Sequence, residues 1–444
     1  MPRRLPNIVA FAVDSLRRDR LSCYGYERLT SPNLDFLAAQ GVLFEDAFSG
    51  YIPTTPGYSS MLTGRDVMST QMVSLTPTGA LDPAHPTLPE ILREHGYVSA
   101  AVGFDGGFYR GFDKYVGFEG WGDWGKRPLR KAENLNDVTL PLIEEMAGQP
   151  FLLFLRHMDP HSPYLPPPPF DTMFYSKNPV QPGNQSMDPV FGFKPFADYF
   201  ASWMPPGVTD IEWVLRMYDG EVAYMDACFA RLLTRLEELG LDDDTLIIVT
   251  SDHGETLDEH EIYFDHHGLY EPTLTVPLIF TWPGHLPEGL RVRGYTLEED
   301  LVPTILDLVG LKKALREIEF DGHSLLPMMR GERPGWRSEF YITECTWQRK
   351  RGWRTPEWKF FEALEPDFHN KPPVELYNLV EDPRELKNLA KQEKGVVEML
   401  RARMMAWVEK RLKQTGKGDP ILDYQIGLER RIGTVGAAQK LQAR

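Results

Sequence analysis

The chain has 444 residues, of which 42% are hydrophobic and 12% aromatic. This composition supports a large packed core and excludes an intrinsically disordered or collagen-like protein. Its 64 acidic residues outnumber 48 basic ones and give a net charge of −16, which would repel nucleic-acid phosphates and anionic membranes. We therefore expect neither nucleic acid nor a membrane as partner. A small anionic substrate remains compatible, because a bound metal can reverse the field locally.

Cysteine usage and the N-terminal segment both point to a reducing compartment. Cys23, Cys228 and Cys345 are too few and too scattered for a disulfide framework or a thiolate zinc site. The apolar run at residues 8–13 is too short for a signal peptide, and no run approaches the roughly 20 apolar residues of a membrane span. These features predict a cytoplasmic protein.

In chain order, apolar strands alternate with amphipathic helices. Residues 7–14 form a continuous apolar run typical of a strand buried on both faces, and residues 31–41 read as a helix that ends at a glycine. Residues 87–103 repeat the helix and the strand. Further elements are a strand at 150–159, a helix at 220–240 and a strand at 244–255. This alternation predicts an α/β fold with a mostly parallel central sheet flanked by helices.

The pattern divides the chain into a catalytic α/β domain at residues 1–336 and a smaller C-terminal α+β subdomain at 337–415. Within the first, residues 162–210 are rich in Pro, Phe, Tyr and Met and are predicted to be an insertion or lid. In the second, two antiparallel strands precede an amphipathic helix. Residues 416–444 carry extra Lys and Arg. They are either a loose tail or an arm that holds a neighbouring subunit of a homo-oligomer.

Polar residues follow three of the predicted strands. They are Asp14, the pair Asp159 and His161, and the pair Asp252 and His253. Because ligands of open parallel sheets bind beyond the carboxyl ends of the strands, we expect these side chains to share one site. Two carboxylates held together would repel each other without a cation, and oxygen ligands with one imidazole suit Mg, Mn, Ca or Zn. The sequence therefore predicts one divalent metal ion.

A threonine-containing turn precedes another predicted helix. Thr54 and Thr55 lie between Pro53 and Gly57, where a helix begins. A threonine here is either an N-cap that satisfies free amides or a nucleophile activated by a metal ion. The helix N-terminus would also favour an incoming anion. From the turn alone, both interpretations remain open.

Several longer segments resemble blocks of the sulfatase family within the alkaline phosphatase superfamily, and they extend over nearly the whole chain. These segments are VDSLRRDRLSCYGYERLTSPNLDFLAAQGVLFEDAF, TTPGYSSMLTGR, MDPHSPYLPP, DDTLIIVTSDHGE, HHGLYEPTLTVPLIF, EDLVPTILDLVG and ELYNLVEDPRELKNLA. The resemblance implies the fold of that family and hydrolysis of an ester of a tetrahedral oxyanion.

The chain departs from the family pattern at the residues that would handle sulfate. Thr54 occupies the position of the Cys or Ser that family members oxidise to formylglycine, and threonine cannot undergo this conversion. The other departures are Ser15 for the second opening Asp ligand, Tyr58 for the signature Arg, residues 103–106 without the sulfate-binding Lys and His, and His266 with His267 for a later Lys. A threonine nucleophile resembles phosphate-transferring relatives, so the resemblance favours phosphorus over sulfur.

The resemblance also implies roles for individual residues. The metal ligands would be Asp14, Thr54, Asp252 and His253, a set similar to that of phosphonate monoester hydrolases. Thr54 would be the nucleophile, and His161 or His267 the general acid. Of the adjacent histidines, His267 is expected to face the metal. A second metal on His161 and His267 remains open, and the predicted substrate-binding residues are Tyr58, Arg65 and His266.

Together these inferences predict a metal-dependent hydrolase of phosphodiesters or phosphonate monoesters, acting on a small anionic ester. Three alternatives stay open. The first is a sulfuric ester hydrolase that works without formylglycine. The second is a transferase that moves a phosphoryl-linked group to an alcohol. The third is a catalytically inactive binding protein that retains the fold.

Overall fold

The structure is a computed structural model that describes residues 5–75, 79–104 and 108–423. Its strands are β1 (Asn7–Val13), β2 (Val42–Phe44), β3 (Ala47–Phe48), β4 (Tyr51–Ile52), β5 (Val98–Gly103), β6 (Lys114–Gly117), β7 (Phe151–His157), β8 (Thr245–Ser251), β9 (Leu278–Thr281), β10 (Leu290–Val292), β11 (Thr296–Leu297), β12 (Phe340–Cys345), β13 (Arg349–Arg354), β14 (Trp358–Ala363) and β15 (Val374–Asn378).

The α-helices are α1 (Pro32–Ala39), α2 (Thr54–Thr63), α3 (Val67–Thr70), α4 (Leu88–Arg93), α5 (Lys131–Met146), α6 (Phe170–Met173), α7 (Asp188–Gly192), α8 (Lys194–Trp203), α9 (Ile211–Glu238), α10 (Glu271–Leu274), α11 (Leu301–Leu308), α12 (Lys312–Glu317), α13 (Leu326–Met329), α14 (Lys394–Thr415) and α15 (Pro420–Asp423). Short 3-10 turns lie at Arg18–Arg20, Ser22–Tyr24, Trp124–Lys126, Glu259–Glu261 and Glu298–Asp300.

The main sheet has the strand order β10-β2-β9-β8-β1-β7-β5-β6. Every neighbouring pair is parallel except the two pairs that include β9. The prediction of an α/β fold with a mostly parallel central sheet is confirmed. Val13 of β1 pairs with Ser251 on one side and His157 on the other. The residues that follow these three strands therefore emerge at the same edge of the sheet.

Helices cover both faces of this sheet, which explains why β1 is apolar from Ile8 to Val13. Val9, Phe11 and Val13 belong to one core, where the Phe11 ring lies 4.5 Å from the Phe229 ring of α9. The even-numbered residues of β1 belong to a second core together with Met61 of α2 and Ile305 of α11. A strand buried on both faces is expected to be apolar, as β1 is after its first residue, Asn7.

The C-terminal subdomain contains a second sheet with the order β15-β14-β13-β12-β4. Helix α14 packs on it, and the Trp407 and Tyr341 rings stack at 4.7 Å. Strand β4 comes from far earlier in the chain, and Tyr51 pairs with Thr343 of β12 in parallel. Because α2 begins directly after β4, the second sheet fixes the start of the helix that carries Thr54.

The predicted insertion at 162–210 folds into α6, α7 and α8. The Phe196 ring of α8 lies 5.8 Å from the His267 ring and 5.4 Å from the Trp347 ring. The insertion thus contacts both a loop of the main domain and the C-terminal subdomain. Its action as a lid stays a prediction.

The predicted C-terminal arm is described only at its start. Ile421 of α15 is buried, and its carbonyl accepts a hydrogen bond from Arg349 Nη1 at 3.3 Å. Residues 424–444 lie outside the described residues, so the arm and the homo-oligomer stay predictions. Cys23, Cys228 and Cys345, which all lie in the described residues, form no disulfide bond. Among the described helices, none combines the length and apolar character needed to cross a bilayer.

Candidate active site

Three predicted metal ligands converge at the carboxyl ends of β1 and β8. His253 Nε2 lies 3.8 Å from Asp14 Oδ1 and 3.4 Å from Asp252 Oδ2. All three side chains are fully buried. The register of the two strands accounts for this meeting, because Val13 and Ser251 are paired and the chain turns inward just after each of them.

A left-handed turn at Ser15 holds the two carboxylates. Ser15 has φ 61°, in the left-handed region that few non-glycine residues adopt. The amide donates to Asp252 Oδ1 at 3.3 Å, and the hydroxyl donates to Asp14 Oδ1 at 3.2 Å. Ser15 stands where the family pattern has a further carboxylate, and here it orients two carboxylates instead of adding a third.

The orientation of His253 is fixed by its backbone neighbour. Its Nδ1 lies 2.8 Å from the Gly254 carbonyl, which can only accept, so the proton is on Nδ1 and Nε2 carries a lone pair. That lone pair faces Asp14 and Asp252. Gly254 itself cannot be replaced, because a Cβ there would lie 1.9 Å from the carbonyl oxygen of Pro272.

Of the two threonines in the turn, one faces the metal-ligand cluster. Thr54 Oγ1 lies 3.1 Å from His253 Nε2, whereas the Thr55 hydroxyl donates to the Leu75 carbonyl at 2.8 Å. Thr54 is the first residue of α2, where backbone amides lack partners within the helix. The close approach of α2 requires Gly57, since a Cβ there would lie 2.8 Å from the Asp252 carbonyl oxygen.

An arginine that the sequence patterns did not reveal completes the cluster. Arg156 of β7 donates to Asp14 Oδ2 from Nη2 at 2.7 Å and from Nε at 3.1 Å. Burial alone would raise the pKa of Asp14, but attraction by Arg156, with smaller contributions from His161 and His253, lowers it well below its usual range. The feature of the sequence that could have identified Arg156 is its position as a single charged residue within the apolar run of β7.

The pKa of Asp252 is shifted in the opposite direction to that of Asp14. Burial and the neighbouring Asp14 charge raise its pKa well above the ordinary value of 3.8, and Oδ2 has no hydrogen-bond donor among the described residues. A carboxylate with a free buried oxygen, a second carboxylate and an imidazole lone pair form a suitable donor set for a divalent cation. The residues present therefore fit the metal that the sequence predicts.

The structure places His266, and not His267, beside this cluster. The His266 ring stacks on the His253 ring at 4.5 Å and lies 5.7 Å from the His161 ring. His267 points away, with Nε2 2.8 Å from Asp265 Oδ2 and its ring among aromatic side chains. Only one of the two adjacent histidines lies against the metal-ligand cluster, as expected. It is His266, whereas the sequence predicted His267.

His161 is held at the edge of the cluster by a buried lysine. Lys131 Nζ donates to the His161 carbonyl at 2.9 Å and pairs with Asp159 at 2.9 Å and with Glu221 at 3.4 Å. Asp159 thus binds a lysine and does not join the other two carboxylates. The His161 ring packs against Trp121 at 5.2 Å, and burial lowers its pKa.

The two other predicted substrate-binding residues have structural partners. The Tyr58 hydroxyl donates to the Ala12 carbonyl at 3.2 Å, and its buried ring lies 5.4 Å from the Arg156 guanidinium. Arg65 Nη2 donates to the Glu319 carbonyl. Arg65 follows the C-terminal end of α2, whose ten residues, Thr54–Thr63, span about 15 Å. Neither side chain turns a polar group toward Thr54.

Sequence comparison identifies the family. Residues 6–311 match the family model described as Sulfatase. The chain belongs to the sulfatase family. Residues 258–413 also match the model described as N-sulphoglucosamine sulphohydrolase, C-terminal, which agrees with the predicted resemblance.

Relatives of this sulfatase-family chain include enzymes named for different esters. It is 26% identical to the multifunctional alkaline phosphatase superfamily protein PehA of Trinickia caryophylli, over 76% of this chain and 79% of that protein. It is 27% identical to human arylsulfatase A, over 87% and 83% of the two chains. Phosphonate monoester hydrolase SpPMH of Silicibacter pomeroyi has the same fold, with TM-score 0.71, 24% identity and coverage of 92% and 96%.

These relatives establish the coarse activity. The chain is a hydrolase of the alkaline phosphatase superfamily, whose members cleave sulfuric or phosphoric esters. Enzymes of this superfamily use a divalent metal, and Asp14, Asp252 and His253 could hold one here.

The raised pKa of Asp252 leads to a stability prediction. In the metal-free protein, stability should fall as pH rises from about 3.8 toward the raised folded pKa, because the unfolded chain releases this proton more easily. Asp252→Asn should therefore raise the metal-free melting temperature at pH 7.5, since each tenfold difference in proton affinity between the folded and unfolded chains is worth about 1.4 kcal/mol. Added Mn²⁺ should stabilise wild type more than the variant. Thermal denaturation tests this, with the exposed Asp242→Asn as control. An Asp252→Asn that is destabilised without metal, or that Mn²⁺ stabilises as much as wild type, would contradict it.

The Arg156–Asp14 pair leads to a second prediction. Arg156→Met removes one partner of a buried ion pair, which typically costs about 3–5 kcal/mol. The metal-free protein should melt at a lower temperature, and Mn²⁺ should stabilise the variant more than wild type because it supplies the missing positive charge. Arg156→Lys should recover part of the loss. The exposed Arg130→Met, which removes a surface contact with Glu133, is the control. An unchanged metal-free melting temperature would contradict the role given to Arg156.

Proposed function

We propose that the chain is a divalent-metal-dependent hydrolase of phosphodiesters or phosphonate monoesters that uses Thr54 as its nucleophile. The proposal depends chiefly on one observation. The Thr54 hydroxyl lies 3.1 Å from the His253 lone pair, at the start of α2 and beside the Asp14–Asp252 carboxylates. The neighbouring Thr55 hydroxyl has a backbone partner and is not available.

The chemistry of threonine favours phosphorus over sulfur. A formylglycine hydrate releases sulfate by collapse of its own hemiacetal, a route that Thr54 lacks. A phosphorylated threonine can instead be hydrolysed by an activated water. The nucleophile therefore supports a two-step phosphoryl transfer on a small anionic ester.

In the first step, Thr54 Oγ attacks phosphorus in line with the leaving oxygen. The Oγ–P bond forms, the bond to the leaving alkoxide breaks, and the hydroxyl proton passes to solvent. A divalent cation held by Asp14, Asp252 and His253 would make the hydroxyl more acidic and balance the charge of the transition state. The backbone amides at the start of α2 stabilise the equatorial oxygens. Arg156 keeps Asp14 ionised throughout.

His161 is the group proposed to exchange protons in both steps. Its Nδ1 lies 2.8 Å from the Ser162 carbonyl, so Nε2 is the atom free to exchange a proton. When protonated, it gives its proton to the leaving alkoxide. It then accepts a proton from the water that attacks the Thr54 ester. The Oγ–P bond breaks, and Thr54 Oγ takes up a proton from solvent to restore the hydroxyl. Burial lowers the pKa of His161, which favours transfer of its proton to the alkoxide and the neutral imidazole needed for the second step.

A sulfatase without formylglycine is the second candidate. Its support is the family match and relatives such as human arylsulfatase A. Such an enzyme would transfer sulfate to water directly or through Thr54, and the same residues would bind the anion. Activity toward different esters separates the two candidates, because both use the same metal site.

The test compares kcat/KM for four nitrophenyl esters with added Mn²⁺: a phosphodiester, a phosphonate monoester, a phosphomonoester and a sulfate. We expect the phosphodiester or the phosphonate to be the best substrate. Thr54→Ala should lower kcat/KM by about 10³ or more, the usual scale for loss of a nucleophile, and Thr54→Ser should retain part of the activity. Thr55→Ala, which removes a hydroxyl on the same turn, should stay near wild type.

Three results would change the assignment. A sulfate ester that exceeds the phosphorus esters would select the second candidate. Full activity in Thr54→Ala would remove Thr54 as nucleophile under either candidate. Added glycerol that diverts the product into a glycerol ester would identify a transferase.

A further inference from the structure

A second group of metal-ligand residues lies next to the cluster already described. Glu255, Asp265 and His266 each present one donor atom, and these atoms lie within 4.8 Å of one another. His266 Nδ1 is 4.0 Å from Glu255 Oε1 and 3.4 Å from Asp265 Oδ1. None of the three belongs to the Asp14–Asp252–His253 set.

The backbone holds these residues side by side. Thr256 and Asp265 form an antiparallel bridge, with hydrogen bonds of 2.9 and 3.1 Å between their backbone groups. The loop that the bridge closes is anchored by buried Leu257 and Phe264. Glu255 and His266 lie directly beside the bridge, so the arrangement does not depend on a flexible segment.

Glu255 is the group that requires a ligand. Its side chain is 1% exposed, and neither oxygen takes part in a hydrogen bond of ordinary geometry within the described residues. The hydroxyls of Ser15 and Tyr164 stabilise its ionised form, but by less than burial destabilises it. A buried carboxylate without a partner costs several kcal/mol, which a bound cation would offset.

No side-chain cation takes this role in the part of the chain that the structure describes. The nearby Arg17 donates to the Glu255 backbone carbonyl, while its charge pairs with Asp19 and Glu259. The nearest basic group to the Glu255 carboxylate is His266 at 4.0 Å, beyond hydrogen-bond distance. Among the described residues, Glu255 therefore lacks a charged partner, whereas Asp265 lies 2.8 Å from His267 Nε2.

We propose that Glu255, Asp265 and His266 form a second divalent-cation site, distinct from the Asp14–Asp252–His253 site. Two carboxylate oxygens with one imidazole nitrogen favour Mn²⁺, Co²⁺ or Zn²⁺ over the all-oxygen preference of Ca²⁺ and Mg²⁺. This inference concerns cation binding and does not depend on the ester that is cleaved.

The position of the second site gives it access to the same substrate. The His266 ring stacks on the His253 ring. Because His253 belongs to the first set of donors and His266 to the second, the two sites are neighbours. Three protein ligands leave coordination positions open for water or a substrate oxygen. His267, with Nε2 2.8 Å from Asp265 Oδ2, is then an orienting neighbour of a ligand.

The test is a Co²⁺ titration of the metal-free full chain by equilibrium dialysis, with visible absorption recorded at each step. Wild type should bind two ions per chain. Glu255→Gln and Asp265→Asn should each bind one, and Asp252→Asn should also bind one, because it affects only the first site. The control is Glu261→Gln, which replaces an exposed acid on the same loop that pairs with Lys371 and should still bind two.

A wild type that binds one ion, or a Glu255→Gln and an Asp265→Asn that both bind two, would overturn the proposal. Circular dichroism establishes that each variant is folded. If one variant fails to fold, the anomalous signal of cobalt in wild-type crystals decides. A peak bonded to Glu255 and His266 supports the second site, and a peak only at Asp252 and His253 contradicts it. Because none of these readouts uses turnover, the outcome is independent of the proposed ester specificity.

Discussion

The repulsion between two buried carboxylates, Asp14 and Asp252, is the constraint on which the site depends. They are brought together because β1 and β8 are paired parallel strands that end at the same level. Three features reduce the repulsion. Arg156 neutralises Asp14, and the Ser15 turn supplies a donor to each carboxylate. Burial and the Asp14 charge raise the pKa of Asp252, which favours a proton there until a cation replaces it. The folded chain therefore holds the ligands of the proposed metal in place, and the protein is less stable without a bound cation than with one.

The positive charge beside Asp14 comes from Arg156 of β7, and not from α2, the helix in which the family pattern has an arginine. The signature arginine position in α2 is Tyr58, whose ring lies 5.4 Å from the Arg156 guanidinium. The charge therefore reaches the carboxylate from β7, and the tyrosine packs beneath it. The first turn of α2 carries Thr54. Strand β4, which pairs with β12 of the second sheet, fixes the position at which this turn begins.

Sequence patterns predicted the parts of the structure that depend on local periodicity. The apolar runs of β1, β7 and β8 predicted buried parallel strands, and their polar ends predicted Asp14, Asp252 and His253 at one edge. Arg156 was missed because one charged residue in a buried strand has no periodic signal, and its partner is distant in sequence. The choice between His266 and His267 depends on the Thr256–Asp265 bridge, which no local pattern reveals. Arg65 lies in a family motif, but the length of α2 carries it away from Thr54.

The central claim is that Thr54 forms a covalent ester during turnover, and the stereochemistry at phosphorus tests it most directly. A phosphorothioate diester of known configuration is hydrolysed in ¹⁸O-labelled water, and the configuration of the product is determined. Two successive in-line displacements, first by Thr54 and then by water, predict net retention. Net inversion would show that water attacks phosphorus directly, and it would contradict a covalent Thr54 ester even if Thr54 were essential for activity.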